Sequence, residues 1–318
     1  MRKLKWEKLG LIFNPHEHRQ ISDCISFAQS PQTLVLDDRV RIYYSTRQTD
    51  SGKFLSHISY VDFDYSFTRI LNIANREVVA LGKLGTFDEH GIFPINILKD
   101  EDRIVGYTCG WSRRSSVSVE TSIGIVISSD EGTTFQKIAD GPIMSSNLNE
   151  PFLVGDAFVL KLEKDYHMWY IFGKQWLKNE IEEPARVYKI AYAHSVDGIN
   201  WKRDSKCIIQ DVLNEYECQA LPTVAYHDGI YHMFFCYREA IGFRTDKGKG
   251  YRLGYAYSTD LITWTRDDEM GGMQLAEDGW DSEMQCYPHL FRLDTQLYLL
   301  YNGNQFGKNG FGLAKLCS

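Results

Sequence analysis

Carboxylates that recur at a fixed distance ahead of a proline are the feature of this sequence best suited to chemistry. Glu217 opens Glu217-Cys218-Gln219-Ala220-Leu221-Pro222, Glu283 opens Glu283-Met284-Gln285-Cys286-Tyr287-Pro288, and Glu89 opens Glu89-His90-Gly91-Ile92-Phe93-Pro94. Three copies predict equivalent strands, each delivering an acid to a common place. Like charges brought together raise one another's pKa. Two carboxyls with separated pKa values can act as acid and base in cleaving a glycosidic bond. By position, the candidates are Asp23, Asp88, Glu89, Glu150, Glu217 and Glu283.

Strands must position these acids, and a second repeat describes them. Ser128-Ser129-Asp130-Glu131-Gly132-Thr133-Thr134-Phe135 is followed by Ser195-Val196-Asp197-Gly198-Ile199-Asn200-Trp201 and by Ser258-Thr259-Asp260-Leu261-Ile262-Thr263-Trp264, with a worn copy at Asp62-Phe63-Asp64-Tyr65-Ser66-Phe67. Counted from Asp64, Asp130, Asp197 and Asp260, the intervals are 66, 67 and 63 residues. The Ser and Asp side chains of such segments bond nearby backbone and fix a tight turn. The aromatic that follows is expected to pack between repeats. An alternating strand precedes each turn, and a second regular strand recurs five times, at Arg41–Ser45, Ile104–Tyr107, His167–Phe172, Tyr231–Phe235 and Leu297–Tyr301.

A repeat of this length made of strands and turns is a propeller blade. In 318 residues it fits about five times. The expected fold is therefore all-β: a single five-bladed β-propeller, residues 1–318, of four-stranded antiparallel blades around a central channel. Blade one runs from Asp23 to about Thr68, and the others begin near Asp88, Glu150, Glu217 and Glu283. Leu9–Phe13 and Phe311–Leu316 both read as strands. Pairing them in one blade would close the ring and remove an open edge.

Composition agrees with a well-packed chain. Apolar residues make up 43% and aromatics 14%, which suits strands and excludes disorder. A net charge of −7 without a basic run argues against a nucleic-acid surface. There is no apolar run of the ~18–20 residues that span a bilayer, and no leader is visible at Met1-Arg2-Lys3-Leu4-Lys5. Seven dispersed cysteines without a Cys-x-x-Cys pair fit reduced thiols in a cytoplasm.

At the level of blade pattern, most of the chain resembles the five-bladed propeller glycoside hydrolases of families 43, 32 and 68, with the family 130 phosphorylases as further kin. Glu217-Cys218 matches the Glu-Cys pair of family 32, and Asn149-Glu150-Pro151 stands where that family has Arg-Asp-Pro. The resemblance implies a blade-one base or nucleophile at Asp23, a blade-three acid at Glu150 that steadies the transition state, and a blade-four general acid at Glu217. His289 resembles the inner-channel histidine of family 43, where it can help hold a calcium ion; no other cofactor is implied. There are departures. Blade one reads Ser22-Asp23-Cys24-Ile25 in place of Asn-Asp-Pro-Asn-Gly, and blade three has Glu for Asp without the arginine.

The leading expectation is thus a glycoside hydrolase, furanosidase-like, acting on an oligo- or polysaccharide. Arg47, Arg238 and His289 near strand ends are candidates for sugar hydroxyls or an anionic group. Trp111, Trp176 and Trp280 are candidates for stacking on a sugar face, and Asp88, Glu89 and Glu283 complete the substrate-binding set. His16 and His18 lack the further ligands zinc requires, so no metal site is expected there. A phosphorylase would need a basic cluster beside the acids, for which Arg113, Arg114 and Arg238 are the candidates. A non-catalytic glycan-binding or polysaccharide-assembly propeller is the third reading. A sialidase, suggested by the Ser128–Phe135 box, is disfavoured because that family has six blades.

Overall fold

The computed structural model describes residues 2–178 and 183–317, with Ser22 described by its backbone alone. Its strands in chain order are β1 (Trp6–Phe13), β2 (Ser26–Val35), β3 (Val40–Asp50), β4 (Lys53–Phe63), β5 (Ile70–Ile73), β6 (Gly91–Asp100), β7 (Arg103–Arg113), β8 (Val119–Ser128), β9 (Gln136–Lys137), β10 (Val154–Leu162), β11 (Asp165–Leu177), β12 (Ala185–Ser195), β13 (Lys202–Arg203), β14 (Cys218–His227), β15 (Ile230–Arg238), β16 (Arg252–Ser258), β17 (Thr265–Arg266), β18 (Cys286–Leu293), β19 (Gln296–Asn302) and β20 (Phe311–Leu316). They form five antiparallel blades: β2–β5, β6–β9, β10–β13, β14–β17, and a last blade ordered β18-β19-β20-β1. The first two blades touch through a single parallel pairing of Ser56 with Gly91.

Both ends of the chain build the fifth blade. β1 lies antiparallel to β20, with Trp6 opposite Leu316 and Phe13 opposite Phe311. The ring closes as the sequence predicts, because an unpaired β20 would present a bare row of backbone donors and acceptors.

The Ser/Asp turns stitch neighbouring blades together. Asp130 Oδ1 accepts from the Thr134 amide at 2.8 Å, Asp197 Oδ1 from Asn200 at 2.7 Å, and Asp260 Oδ1 from Thr263 at 2.7 Å. The aromatic next in each turn then meets the middle strand of the preceding blade. Phe135 lies edge-on to Tyr43 at 5.8 Å, Trp201 to Tyr107 at 6.0 Å, and Trp264 to Trp169 at 6.0 Å, while Phe67 sits 5.4 Å from Tyr298. Such contacts are each worth about 0.5–1.5 kcal/mol beyond the area they bury. Gly132 is required here. Its φ is +75°, and a Cβ would collide with the Tyr43 hydroxyl, which donates to the Gly132 carbonyl at 2.6 Å.

Hydrogen bonds between inner strands fill one end of the channel. Asn96 donates to Gln32 at 3.1 Å and accepts from the Val159 amide at 2.9 Å. Thr223 Oγ1 accepts from the Leu290 amide at 2.9 Å. His289 Nε2 accepts from the Thr33 amide at 3.1 Å.

Candidate functional site

All five inner strands are bulged at the same level. The pairing register slips around Ser30-Pro31 in β2, Phe93-Pro94 in β6, Asp156-Ala157 in β10, Leu221-Pro222 in β14 and Tyr287-Pro288 in β18. Proline is tolerated there because the bulge leaves no ladder bond for it to break. The residue ahead has positive φ at Ser30, Asp156, Leu221 and Tyr287. That kink re-aims side chains toward the axis. Phe93, Asp156, Leu221 and Tyr287, together with Gln29 beside Ser30, line a cavity of about 380 Å³.

The cavity is basic and aromatic. Among the described residues, its wall carries four guanidinium groups, Arg47, Arg186, Arg238 and Arg244, and a single carboxyl, Asp156. Among the described residues, none of the four arginines has an ion-pair partner within bonding distance, whereas Arg113 and Arg114 outside the cavity are matched by Asp50 and Glu120. Arg47 rises from the end of β3. It donates to Gln29 Oε1 at 2.9 Å and to the Ser56 hydroxyl. Burial pulls its pKa down to about 10, the Tyr287 hydroxyl works against that, and the charge of Arg186 adds to it. Arg238 ends β15 and is buried. It donates to the Tyr188 hydroxyl at 2.8 Å and to the Glu239 carbonyl at 2.6 Å, and it stacks 3.5 Å above Phe243. Its Nε has no partner. Arg244, on the loop after β15, lies 4.4 Å from the same ring. Burial lowers its pKa, and the positive charges of Arg238 and Arg186 lower it further. Unmatched cations of this kind call for an anion.

Asp156 is the group positioned to move a proton. It is 7% exposed, and burial raises its pKa to about 7 despite the opposing charge of Arg186 and hydrogen bonds from the Leu221 backbone and the Cys109 thiol. Near neutral pH it is divided between acid and carboxylate, as a general acid needs to be. Cys109 itself stays a thiol, because burial raises its pKa well above the ordinary value. Trp111, Phe54, Phe93, Tyr251 and Phe306 complete the wall, and flat apolar rings suit the faces of sugar rings.

The acids expected to share the pocket lie elsewhere. Glu217 is fully buried and accepts from Arg266 at 2.6 Å, from the Val212 and Leu213 amides at 2.9 and 3.0 Å, and from Gln219 at 3.0 Å. Glu150, equally buried, accepts from Arg203 and from the Tyr170 hydroxyl, both at 2.6 Å. Asp88 pairs with Lys137 at 2.6 Å. Asp281, which the sequence reading passed over, accepts from Lys8 at 2.7 Å, Gln285 at 2.9 Å and Tyr301 at 3.0 Å. In four blades, then, an acid on the segment entering the blade binds a cation on that blade's outermost strand. In blade one Gln20 takes the place of the acid, accepting from Tyr44 at 2.8 Å. The blade-spaced acid is a clasp for each blade, and the expected convergence of Asp23, Glu150 and Glu217 does not occur.

The remaining candidates divide in the same way. Asp23 is exposed at the end of a short 3-10 turn with φ +55° and lines no part of the cavity. Glu89 accepts from the Gly85 amide at 2.7 Å, and Glu283 pairs with Lys247 at the surface. Trp280 packs on Tyr301 at 5.0 Å in the fifth blade. Trp111 and Arg238 do line the cavity, as does Arg47. Asp156, Arg186 and Arg244 are the residues that sequence reasoning missed. The repeated proline marks part of that wall: Phe93, Leu221 and Tyr287, each just before one, line the cavity, whereas Asp156 precedes Ala157.

His289 lies on the filled side of the channel, touching Thr33 of blade one and 6.2 Å from the ring of Phe158 of blade three. Its Nε2 accepts a hydrogen bond, so in the neutral ring the proton sits on Nδ1, which has no partner. Burial lowers its pKa to about 3. Calcium takes six to eight oxygen ligands. No cluster of three acid, histidine or cysteine side chains fit to hold a metal occurs among the described residues. No described helix is long and apolar enough to cross a membrane.

No family model matches the chain. It is 30% identical over 314 residues to each of two Mycobacterium tuberculosis proteins, uncharacterized protein MT1551 and uncharacterized protein Rv1502, covering 98% of this chain and 99% of each relative. Among solved structures, it superposes on a glycoside hydrolase with TM-score 0.74 at 16% identity (99% of this chain, 92% of the other). A thermostable family-43 glycoside hydrolase matches with TM-score 0.66 at 15% identity (92% and 88%). A structure from the GH130 family of mannoside phosphorylases, which contains glycoside hydrolases that target β-1,2 mannosidic linkages in Candida mannan, matches with TM-score 0.69 at 13% identity (98% and 94%). The fold is that of the propeller glycoside hydrolases.

Proposed function

The chain belongs to the same family as MT1551 and Rv1502, and from that premise, its fold and its arginine-lined cavity, we propose that it is a carbohydrate-active enzyme that cleaves a glycosidic bond with inorganic phosphate. The observation that carries this reading is the composition of the described wall: one carboxyl among four arginines. Hydrolysis by two carboxylates needs a second acid within about 5–10 Å of the first, and among the described residues no other acid lines the cavity. Phosphorolysis needs one acid only, because phosphate arrives as its own nucleophile and the arginines are suited to hold it.

In this mechanism the protonated Asp156 gives its proton to the glycosidic oxygen as the bond to the anomeric carbon breaks. A phosphate oxygen attacks that carbon from the opposite face. The products are a sugar 1-phosphate of inverted configuration and a glycan carrying the new hydroxyl. Arg47, fixed by Gln29 and Ser56, is oriented in advance to receive phosphate, which keeps the entropic cost of binding low.

The test is incubation of the intact protein with a panel of oligosaccharides, with and without phosphate, followed by phosphorus NMR. Phosphate-dependent formation of a sugar 1-phosphate, lost in Asp156→Asn, is the expected result. Sugar release at an equal rate without phosphate would return the enzyme to hydrolysis. Calorimetric binding with no product would make the propeller a glycan-binding protein.

A further inference from the structure

The cavity holds more positive charge than one phosphate can match. With Asp156 in its neutral, proton-donating form, Arg47, Arg186, Arg238 and Arg244 present four cationic groups to one enclosed space. A bound phosphate brings a charge of about −2 at neutral pH, leaving about two guanidiniums without a counter-charge. Among the described residues, the nearby acids do not make up the difference. Glu239 is held by Lys249 at 3.2 Å, and Glu283 by Lys247. Leaving the buried Arg238 guanidinium without an anion is costly.

The cationic groups are also distributed rather than gathered at one point. Arg47 stands on blade one, held by Gln29 and Ser56. Arg238 and Arg244 stand on blade four and on the loop that follows it, both over the ring of Phe243. Arg186, at the start of β12 in blade three, lowers the pKa of both Arg47 and Arg244 by its charge. Arg238 is 4% exposed and keeps an unpartnered Nε, and Arg244 is exposed at the mouth.

We propose that the sugar bound in this cavity is itself anionic, a uronate or a phosphate- or sulfate-bearing sugar, with its charged group taken by Arg238 and Arg244 while phosphate occupies the Arg47 end. This rests on reading the cavity as a glycosyl site. It adds a second anion position to that site and assigns the substrate class. Phe243 beneath the two guanidiniums holds their planes for bidentate recognition of a carboxylate, phosphate or sulfate.

The experiment is calorimetric titration of the intact protein with glucuronate, glucose 6-phosphate, glucose 6-sulfate and glucose, each with and without saturating inorganic phosphate. The expected result is binding of at least one anionic sugar ten-fold or more tighter than glucose, undiminished by phosphate, with the preferred ligand naming the charged group. Arg244→Gln, on the loop after β15, should remove most of that preference, with the melting temperature checking that the variant is folded. Equal affinity for glucose, binding of no anionic sugar, or strict competition between anionic sugar and phosphate would each overturn the proposal. Anionic sugar binding in a protein that shows no phosphate-dependent turnover would sink the phosphorolysis reading and leave this one standing.

Discussion

Glu217 Oε1 lies 2.6 Å from Arg266 Nη1, with 0% and 3% of the two side chains exposed. The contact ties the segment entering blade four to that blade's outermost strand. It does not face the cavity.

Glu217→Gln should therefore cost stability rather than chemistry. Removing one partner of a buried ion pair typically costs about 3–5 kcal/mol. Arg266 keeps Asp268 at 2.9 Å, so a loss near the lower end, about 3 kcal/mol, is expected in urea unfolding. Turnover per folded molecule should be retained. A folded Glu217→Gln protein without turnover would put this carboxylate back in the reaction.

Asp156 sets the pH dependence. Its folded-state pKa, raised to about 7, lies above the unfolded value of about 3.9. Between the two the folded protein holds the extra proton, so stability falls as pH rises through that window and levels off above about 7. The catalytic rate should decline above the same point as the acid form is lost. Asp156→Asn should flatten this part of the stability profile and abolish turnover. A rate that keeps climbing from pH 7 to 9 would exclude Asp156 as the proton donor.

His289 has the opposite slope. Its pKa is lowered to about 3, against about 6.5 in the unfolded chain. The unfolded chain takes up a proton first, so stability present above about 6.5 is lost as pH falls toward 3. In His289→Gln the acid limb of the melting-temperature profile should be shallower below pH 6. An unchanged acid limb would mean that other groups govern acid unfolding.

The N-terminal strand should prove integral. Lys8 reaches Asp281 at 2.7 Å, and Asp281 is nearly buried. Lys8→Met leaves that carboxylate with Gln285 and Tyr301, so a loss of about 2 kcal/mol is expected. Removing residues 2–13 uncovers β20 altogether and should abolish cooperative unfolding. A truncated chain with the full-length melting temperature would contradict the closure.

Inorganic phosphate should raise the melting temperature of the intact protein. By linkage, each ten-fold excess over the dissociation constant adds about 1.4 kcal/mol. Arg47→Gln should largely remove this effect. Equal stabilisation of the wild type and Arg47→Gln would place the phosphate elsewhere.

The five blades, their turns and the closure by both chain ends were legible in the sequence because they rest on local chemistry. Asp130, Asp197 and Asp260 bond amides two to four residues away, so spacing alone reveals them. The wall of the cavity was half legible. Arg47, Arg238 and Trp111 stand at strand ends, where an inner strand's neighbour meets the mouth, but Asp156 sits within β10 and looks there like one more alternating residue.

What the linear order left open was direction. A blade-spaced acid shows that something recurs in every blade. Whether the carboxylate turns toward the axis or back across its own blade depends on a cation some fifty residues further on, such as Arg203 for Glu150 or Arg266 for Glu217. Likewise, the positive φ at Asp156 that points it inward arises from the bulged pairing of β10 with β11. Sequence determined the number of blades and the turns between them. Only the packed ring decided which charges are used to hold it together and which are left facing the open channel, because that choice is made by partners distant in the chain.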